Sequence, residues 1–237
     1  MQTLDLAGLT THVVGPRDAA ITCVLLHGFG APGHDMVGLA EVLDPRVRFA
    51  CPEAPLEIGG MYGAARAWWM IDFARVEADF QRGAPSDRRD EIPDGLLDAR
   101  AHVMRMLDDL QARYSIAPDR LVLGGFSQGA MLSLDVALHR AAPPAGLLTM
   151  SGTLIAESLW QPRMAQLAGV PVMQSHGRRD PLLSFAVAEV LRDRMIAAGA
   201  RVDWQSFIGG HEIPPGVLAA AARLLGQVGA PGGSSPA

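Results

Sequence analysis

Cysteine is scarce: the 237-residue chain has two, Cys23 and Cys51, each inside an apolar, strand-like run. Neither shows CxxC or other metal-ligand spacing, which argues against a zinc site. Buried free thiols in a reducing compartment are expected, with a Cys23–Cys51 disulfide as the alternative. Basic excess is missing as well. Twenty Lys and Arg stand against 25 Asp and Glu, a formal charge of −5, and no Lys/Arg stripe marks a phosphate backbone or an anionic membrane, so no nucleic-acid partner is expected. The apolar runs are strand-sized, too short for stable membrane insertion. The opening MQTLDLAGLTTHVVGPRDAA has no basic head followed by an apolar run, so no secretory leader is expected and the cytoplasm is the expected location.

The 49% of hydrophobic residues can fill one substantial core, and the length suits a single domain, assigned to residues 1–228. Short apolar runs, ITCVLLHG, VRFACPEAP, RLVLGG, GLLTMSG, VPVMQSHG and RVDWQSFIGG, are closed by glycine or broken by proline. They read as strands of a mostly parallel sheet covered on both faces. Helical spacing lies between them. Leu97, Ala101, Met104, Leu107, Leu110 and Tyr114 mark one expected buried face. A second helix runs through Val187, Val190, Leu191, Met195 and Ala198, with Gly199 as its C-terminal cap, and a last one through Val217, Leu218, Ala221, Leu224, Leu225 and Val228. The alternation predicts an α/β fold with right-handed crossovers. Residues 56–93 break the rhythm as a lid-like insertion whose RGAPSDRRDE stretch reads as solvated, and residues 229–237 read as a disordered tail.

LVLGGFSQGA contains Gly125-Phe126-Ser127-Gln128-Gly129, a G-x-S-x-G pattern. A strand turning sharply into a helix leaves no room for side chains two positions either side of the middle residue. Glycine at both places lets the Ser127 hydroxyl project above the sheet, next to free helix amides. Alone the pattern is weak; an apolar run before it and a helical run after it supply the required setting. In such a fold the acid and base follow in that order, each past a strand end. HGRRDP offers Asp180, and FIGGHEIP offers His211. Asp180 also reads as an Asp-Pro turn residue, with Asp203 a poorer substitute. His176, at a strand end, reads as pointing into the site or supporting its loop, and His34 as a helix cap. LLHGFG is the expected source of one oxyanion amide, Phe29 N–H, and Gln128 N–H of the other; a plain βα turn describes the same loop.

LLHGFGAPGHDM, ACPEAP, RAWWMID, PDRLVLGGFSQGAMLSLDVAL, HGRRDPLL and GGHEIPPGVLAAAARLL together resemble the phospholipase/carboxylesterase group of α/β-hydrolases, over about Ile21 to Leu225. The resemblance implies an α/β-hydrolase fold and a serine hydrolase using Ser127, Asp180 and His211, with oxyanion amides at Phe29 and Gln128. It also implies substrate contacts at Trp69 and Met70. The expected reaction is cleavage of carboxylic esters, or thioesters, of short to medium acyl chains through an acyl-enzyme, with neither metal nor organic cofactor. Acyl-protein thioesterase and lysophospholipase activities are alternatives, as is a silent binding module on the same fold. Trp68 and Trp160 are further candidate pocket walls, and aromatics near the insertion would support a weak homodimer. The charged insert ARVEADFQRGAPSDRRDE departs from the family pattern.

Overall fold

Chain order begins with a hairpin that the sequence reading did not anticipate. β1 (Gln2–Leu6) and β2 (Leu9–Val14) pair antiparallel around Ala7 and Gly8, at φ 50° and 84°. Two consecutive left-handed residues make the tight turn whose twist suits a hairpin, and Asp5 Oδ1 accepts the Gly8 amide at 3.0 Å. The computed structural model describes residues 1–58, 64–83 and 85–230.

The six apolar runs become β3 (Thr22–Leu26), β4 (Arg48–Pro52), β7 (Leu121–Phe126), β8 (Gly146–Met150), β9 (Pro171–Gly177) and β10 (Arg201–Phe207). β5 (Leu56–Glu57) and β6 (Arg66–Ala67) form a separate small ladder. The main sheet has the order β1-β2-β4-β3-β7-β8-β9-β10. It is parallel from β4 to β10, and β1 and β2 join antiparallel. Every residue of β3, β4 and β8 is buried, as strands covered on both faces must be.

Two helices, α1 (Asp35–Leu43) and α7 (Pro215–Gly229), cover one face with a core that includes Met36, Leu43, Val217, Leu224 and Leu225. α3 (Leu96–Tyr114), α4 (Gln128–His139) and α6 (Phe185–Ala197) cover the other, around Val103, Met106, Leu110, Leu132, Trp160 and Leu191. α2 (Phe73–Arg82) lies in the insertion, and the single turn α5 (Glu157–Trp160), between β8 and β9, adds Trp160 to the second core. α6 and α7 bury the faces read from spacing, and Gly199, at φ 88°, ends α6 in the left-handed conformation.

α3 meets expectation in part: Leu107 and Leu110 are buried and Met104 and Tyr114 pack against the core. Its buried residues are Leu96, Ala99, Val103, Met106, Leu107 and Leu110, whereas Leu97 is exposed. Three- and four-residue spacing gives the presence of a stripe, and packing centres it on Val103 and Met106. The stretch expected to be solvated, residues 82–91, has no buried residue among those described, but it packs around a buried carboxylate just before it. Asp79 is buried and accepts from Arg82, from Arg88 at 2.7 Å, and from the Ser86 hydroxyl and amide at 2.6 and 3.1 Å. Burial works to raise this carboxyl, but the donors from Ser86 and Arg88 outweigh it and hold its pKa at about 2. The carbonyls of Glu91 and Arg89 accept the Ala156 and Glu157 amides, both at 2.8 Å, docking the insert on the start of α5. Insertion residues 59–63 and 84, and residues 231–237 of the tail, lie outside the described residues.

Candidate active site

The parallel register brings several strand ends to one edge of the sheet. Leu26 of β3 pairs Gly125 of β7, Phe126 pairs Met150 of β8, and Gly177 of β9 pairs Phe207 of β10. The loops after β3, β7, β9 and β10 therefore leave side by side, carrying Phe29, Ser127, Asp180 and His211.

Ser127 occupies the junction of β7 and α4 at φ 54°, ψ −118°, a conformation costing on the order of 1–3 kcal/mol for a non-glycine residue. Its amide donates to Met150 O at 2.8 Å, and its carbonyl accepts from Ala130 and Met131, so both ends of the turn are tied. The flanking glycines are steric necessities. A Cβ on Gly125 would lie 2.5 Å from Leu26 O, and one on Gly129 would strike Leu26 O and lie 2.6 Å from His27 O. The end of β3 is thus pressed against the turn, and a Cβ on Gly28 would sit 3.4 Å from the Ser127 Cβ.

That proximity places the Phe29 loop beside the serine. Among the described residues, neither the Phe29 nor the Gln128 amide donates a backbone hydrogen bond. The loop is braced from behind. His27 is fully buried; its Nδ1 donates to Gly28 O at 2.8 Å, and its Nε2 accepts the Ala54 amide at 3.0 Å. Burial lowers the His27 pKa, which keeps the ring neutral as this bonding requires. Gly30 N donates to Arg66 O and Arg66 N to Ala31 O. The Gln128 side chain accepts the Trp68 amide at 2.9 Å and donates to Trp69 O at 2.8 Å, while Trp68 Nε1 donates to His27 O. One side chain thus ties the start of α4 to the Trp68–Trp69 segment.

Asp180 and His211 meet directly: His211 Nδ1 donates to Asp180 Oδ2 at 2.6 Å. The loops carrying them are in backbone contact. Arg178 N donates to Phe207 O and Arg179 N to Gly209 O, and a Cβ on Gly177 would collide with Gly209 and Gly210. Asp180 is 6% exposed, and its Oδ1 accepts the Leu182 and Leu183 amides at 2.9 and 3.0 Å. It is therefore both the Asp-Pro turn residue and the partner of His211. Burial pushes its pKa up, but the His211 bond and the two amides prevail, and the carboxyl titrates below the usual carboxylate range. The imidazole of His211 packs on Phe126, ring centroids 4.7 Å apart, next to the serine. No hydrogen bond joins the Ser127 hydroxyl to His211 among the described residues; in unliganded sites such contacts are often long and tighten on binding substrate.

A cavity of about 520 Å³ lies between the insertion and this edge; Met131 and Leu183 line it, whereas Ser127, Asp180, His211, Phe29 and Gln128 do not. Trp69, Ile71, Met131, Ile155, Leu183 and Val187 give it apolar walls, and Arg75, Arg88 and Glu91 from the insertion close it with charge. Trp69 and Met70 both line it, the first buried, the second half exposed. Trp68 and Trp160 are fully buried and do not line it; Trp160 Nε1 instead donates to Asp135 at 2.8 Å. His34 stands at the start of α1 without making a side-chain cap. Cys23 and Cys51 are free and buried, and burial pushes the Cys51 thiol up to about 12. Among the described residues no group of three or more His, Cys, Asp and Glu side chains could hold a metal ion, and no helix is long and apolar enough to cross a membrane. Sequence reasoning gave no role to the Gln128 side chain, the His27 brace, or the Leu182 and Leu183 amides. The last pair had a local signal, since an Asp two residues before free amides is the pattern of an Asx turn.

A sequence profile of the phospholipase/carboxylesterase family matches residues 10–228. The chain belongs to the phospholipase/carboxylesterase family. Its fold is accordingly the α/β-hydrolase fold, and it is an enzyme, a hydrolase of esters or thioesters. Among relatives, acyl-protein thioesterase 1 of Neurospora crassa is 28% identical over 202 residues, 80% of this chain and 79% of the relative. Acyl-protein thioesterase 1 of Gibberella zeae is 26% identical over 82% of this chain and 84% of the relative. Among solved structures, esterase PE8 superposes with a TM-score of 0.78 at 25% identity, covering 93% of this chain and 99% of that one. The Bacillus cereus carboxylesterase, at 18% identity and a TM-score of 0.71 over 93% of this chain and 94% of that one, shares the fold.

Proposed function

We propose that this family member is a serine hydrolase cleaving carboxylic esters of short to medium acyl chains through an acyl-enzyme on Ser127. The observation that carries the reading is the 2.6 Å bond between His211 and a buried Asp180, at the strand edge where Ser127 is held at φ 54°. His211 Nε2 takes the Ser127 proton as the oxygen attacks the ester carbonyl. Asp180 keeps the proton of the imidazole on Nδ1 and stabilises the imidazolium that forms. The amides of Phe29 and Gln128 receive the oxyanion, each worth about 3–4 kcal/mol of transition-state stabilisation. His211 then protonates the leaving alkoxide, and water, deprotonated by the same ring, releases the acid and restores the serine. Residues 1–228 act as one catalytic domain in this scheme, and the free thiols of Cys23 and Cys51 accord with a cytoplasmic location.

The cavity supports the chain-length assignment. Its apolar walls suit an acyl chain, each buried methylene contributing about 0.8 kcal/mol, while Arg75, Arg88 and Glu91 penalise carbons that reach them. Thioesters enter through the same groups, and the two relatives named acyl-protein thioesterase 1 favour testing them. The test is kcat/KM for p-nitrophenyl esters from acetate to palmitate beside an acyl-thioester, with wild-type enzyme and Ser127→Ala. The expected result is an optimum at short to medium length and a loss of at least about ten-thousandfold in the variant. Near-native turnover by Ser127→Ala would remove the nucleophile assignment.

A further inference from the structure

The strand that leads to Asp180 also carries a histidine for which the acyl-transfer scheme has no use. His176, four residues before Asp180 on β9, has no exposed surface. Its Nε2 lies 3.0 Å from Leu183 O and 3.3 Å from Asp180 Oδ2. Both neighbours accept hydrogen bonds, so Nε2 carries the proton, and burial lowers the pKa of the ring and keeps it neutral. Of the two acceptors, the Leu183 carbonyl is the hydrogen-bonded one. The amide of the same Leu183 donates to Asp180 Oδ1 at 3.0 Å. Leu183 is therefore held from both sides, by His176 at its carbonyl and by the triad acid at its amide, and its side chain lines the acyl cavity.

We propose that His176 is a positioning residue of the hydrolase: by holding the Leu183 carbonyl it fixes the Asx turn whose two amides aim Asp180 at His211. This rests on the serine-hydrolase reading above. A ring that only filled space against Phe185, 6.2 Å away between centroids, would need its volume and not its N–H. The two roles therefore separate by substitution. Gln can return an N–H near the Nε2 position; Phe keeps the bulk without a donor; Asn is polar but too short to reach the Leu183 carbonyl.

The experiment measures kcat and KM for p-nitrophenyl acetate, and the rate of fluorophosphonate labelling, in the full-length His176→Phe, His176→Asn and His176→Gln variants. Phe and Asn are expected to lower kcat and the labelling rate about tenfold, the effect of roughly one hydrogen bond, with KM little changed. Gln is expected to restore the rate to within about threefold of wild type. In an Asp180→Asn background the Phe substitution should cost almost nothing more, because its route runs through Asp180. Wild-type rates in Phe or Asn, or an equal loss in Gln and Phe, overturns the proposal. If Phe does not fold, the contrast between Asn and Gln decides. Failure of the wild-type enzyme to label at Ser127 overturns the serine-hydrolase reading and this inference with it, whereas normal labelling with indifferent His176 variants overturns the inference alone.

Discussion

Replacing Gly129 by alanine tests whether the serine turn and the Phe29 loop, the proposed source of one oxyanion amide, are one mechanical unit. The added Cβ would meet the Leu26 carbonyl well inside the 3.0 Å that Cβ atoms respect, and would stand 2.6 Å from His27 O. Every obstructing atom is backbone, so no side chain can swing aside. Overpacking of this kind costs about 1–3 kcal/mol, and the upper end applies because two elements must separate. Alanine returns up to about 1 kcal/mol through its better helix propensity, leaving a net loss near 2 kcal/mol. For a chain of this length that lowers Tm by about 4–8 °C. The effect on turnover is larger, because the elements driven apart are the end of β3, which leads to Phe29, and the start of α4, which carries Gln128. Loss of one oxyanion donor lowers kcat about a hundred- to a thousandfold, with KM little affected. The assay is p-nitrophenyl acetate turnover well below the melting temperature, beside a thermal melt. Gly38→Ala is the control: it lies in α1 with nothing within 4 Å of the added Cβ, and it should leave turnover intact and raise stability by up to about 1 kcal/mol. A Gly129→Ala enzyme with wild-type melting and turnover would show that the end of β3 and the start of α4 can separate freely.

Other perturbations probe the remaining supports. The folded-state pKa values of His27 and His176 are lowered by burial from 6.5, so the unfolded chain takes up protons that the folded chain refuses. Their contribution to stability is complete above pH 6.5 and is lost as pH falls toward the folded values. The urea midpoint should therefore be lower at about pH 5 than at about pH 7.5, and an unchanged midpoint would contradict the neutral, buried state of both rings. Asp79→Ala removes the acceptor shared by Arg82, Arg88 and Ser86. The charged wall of the cavity should loosen and the ester optimum move to longer chains, with acetate turnover changed by less than about twofold; the p-nitrophenyl series reads this, and an unmoved optimum denies the insert its role. Asp135→Ala leaves the Arg100 guanidinium without the carboxylate that it holds at 2.5 and 2.9 Å. The same substitution strips the buried Trp160 Nε1 of its acceptor; together these losses should cost about 3–5 kcal/mol in a urea titration, and a loss below about 1 kcal/mol would contradict a structural role for the Asp135 carboxylate.

What could be read from the sequence follows the strength of local signals. The parallel strands were legible because burial on both faces leaves an unbroken apolar run, as in TCVLL and GLLTM. The β1–β2 hairpin was not, because QTLDL and LTTHVV mix polar and apolar residues and Ala7-Gly8 is a weak turn signal beside Asn-Gly. In α3 the spacing found Leu107 and Leu110 but set the stripe's start at the exposed Leu97 instead of the buried Leu96 and Ala99, since periodicity gives the presence of a stripe and packing fixes its centre. Asp180 and His211 were legible from their places after strand ends, and the structure brings them to 2.6 Å. The supporting groups were hidden for a different reason. His27 and the Gln128 side chain act through contacts to residues of other loops, up to 60 positions away for Gln128 and Trp68, and no short motif encodes a partner at that distance; His176, whose partner Leu183 is seven residues on, was legible as a support of its loop from its place at a strand end. The burial of Asp79 was not legible because its donors, Arg82, Arg88 and Ser86, come from the charged stretch that follows it and that itself stays at the surface.

The most direct measurement of the central claim is to treat the enzyme with a fluorophosphonate, digest it, and locate the adduct by mass spectrometry. One modification is expected, on the hydroxyl of Ser127, formed in step with the loss of esterase activity and abolished in His211→Ala. An inactivated enzyme labelled at another residue, or full ester turnover with Ser127 quantitatively blocked, would contradict the claim.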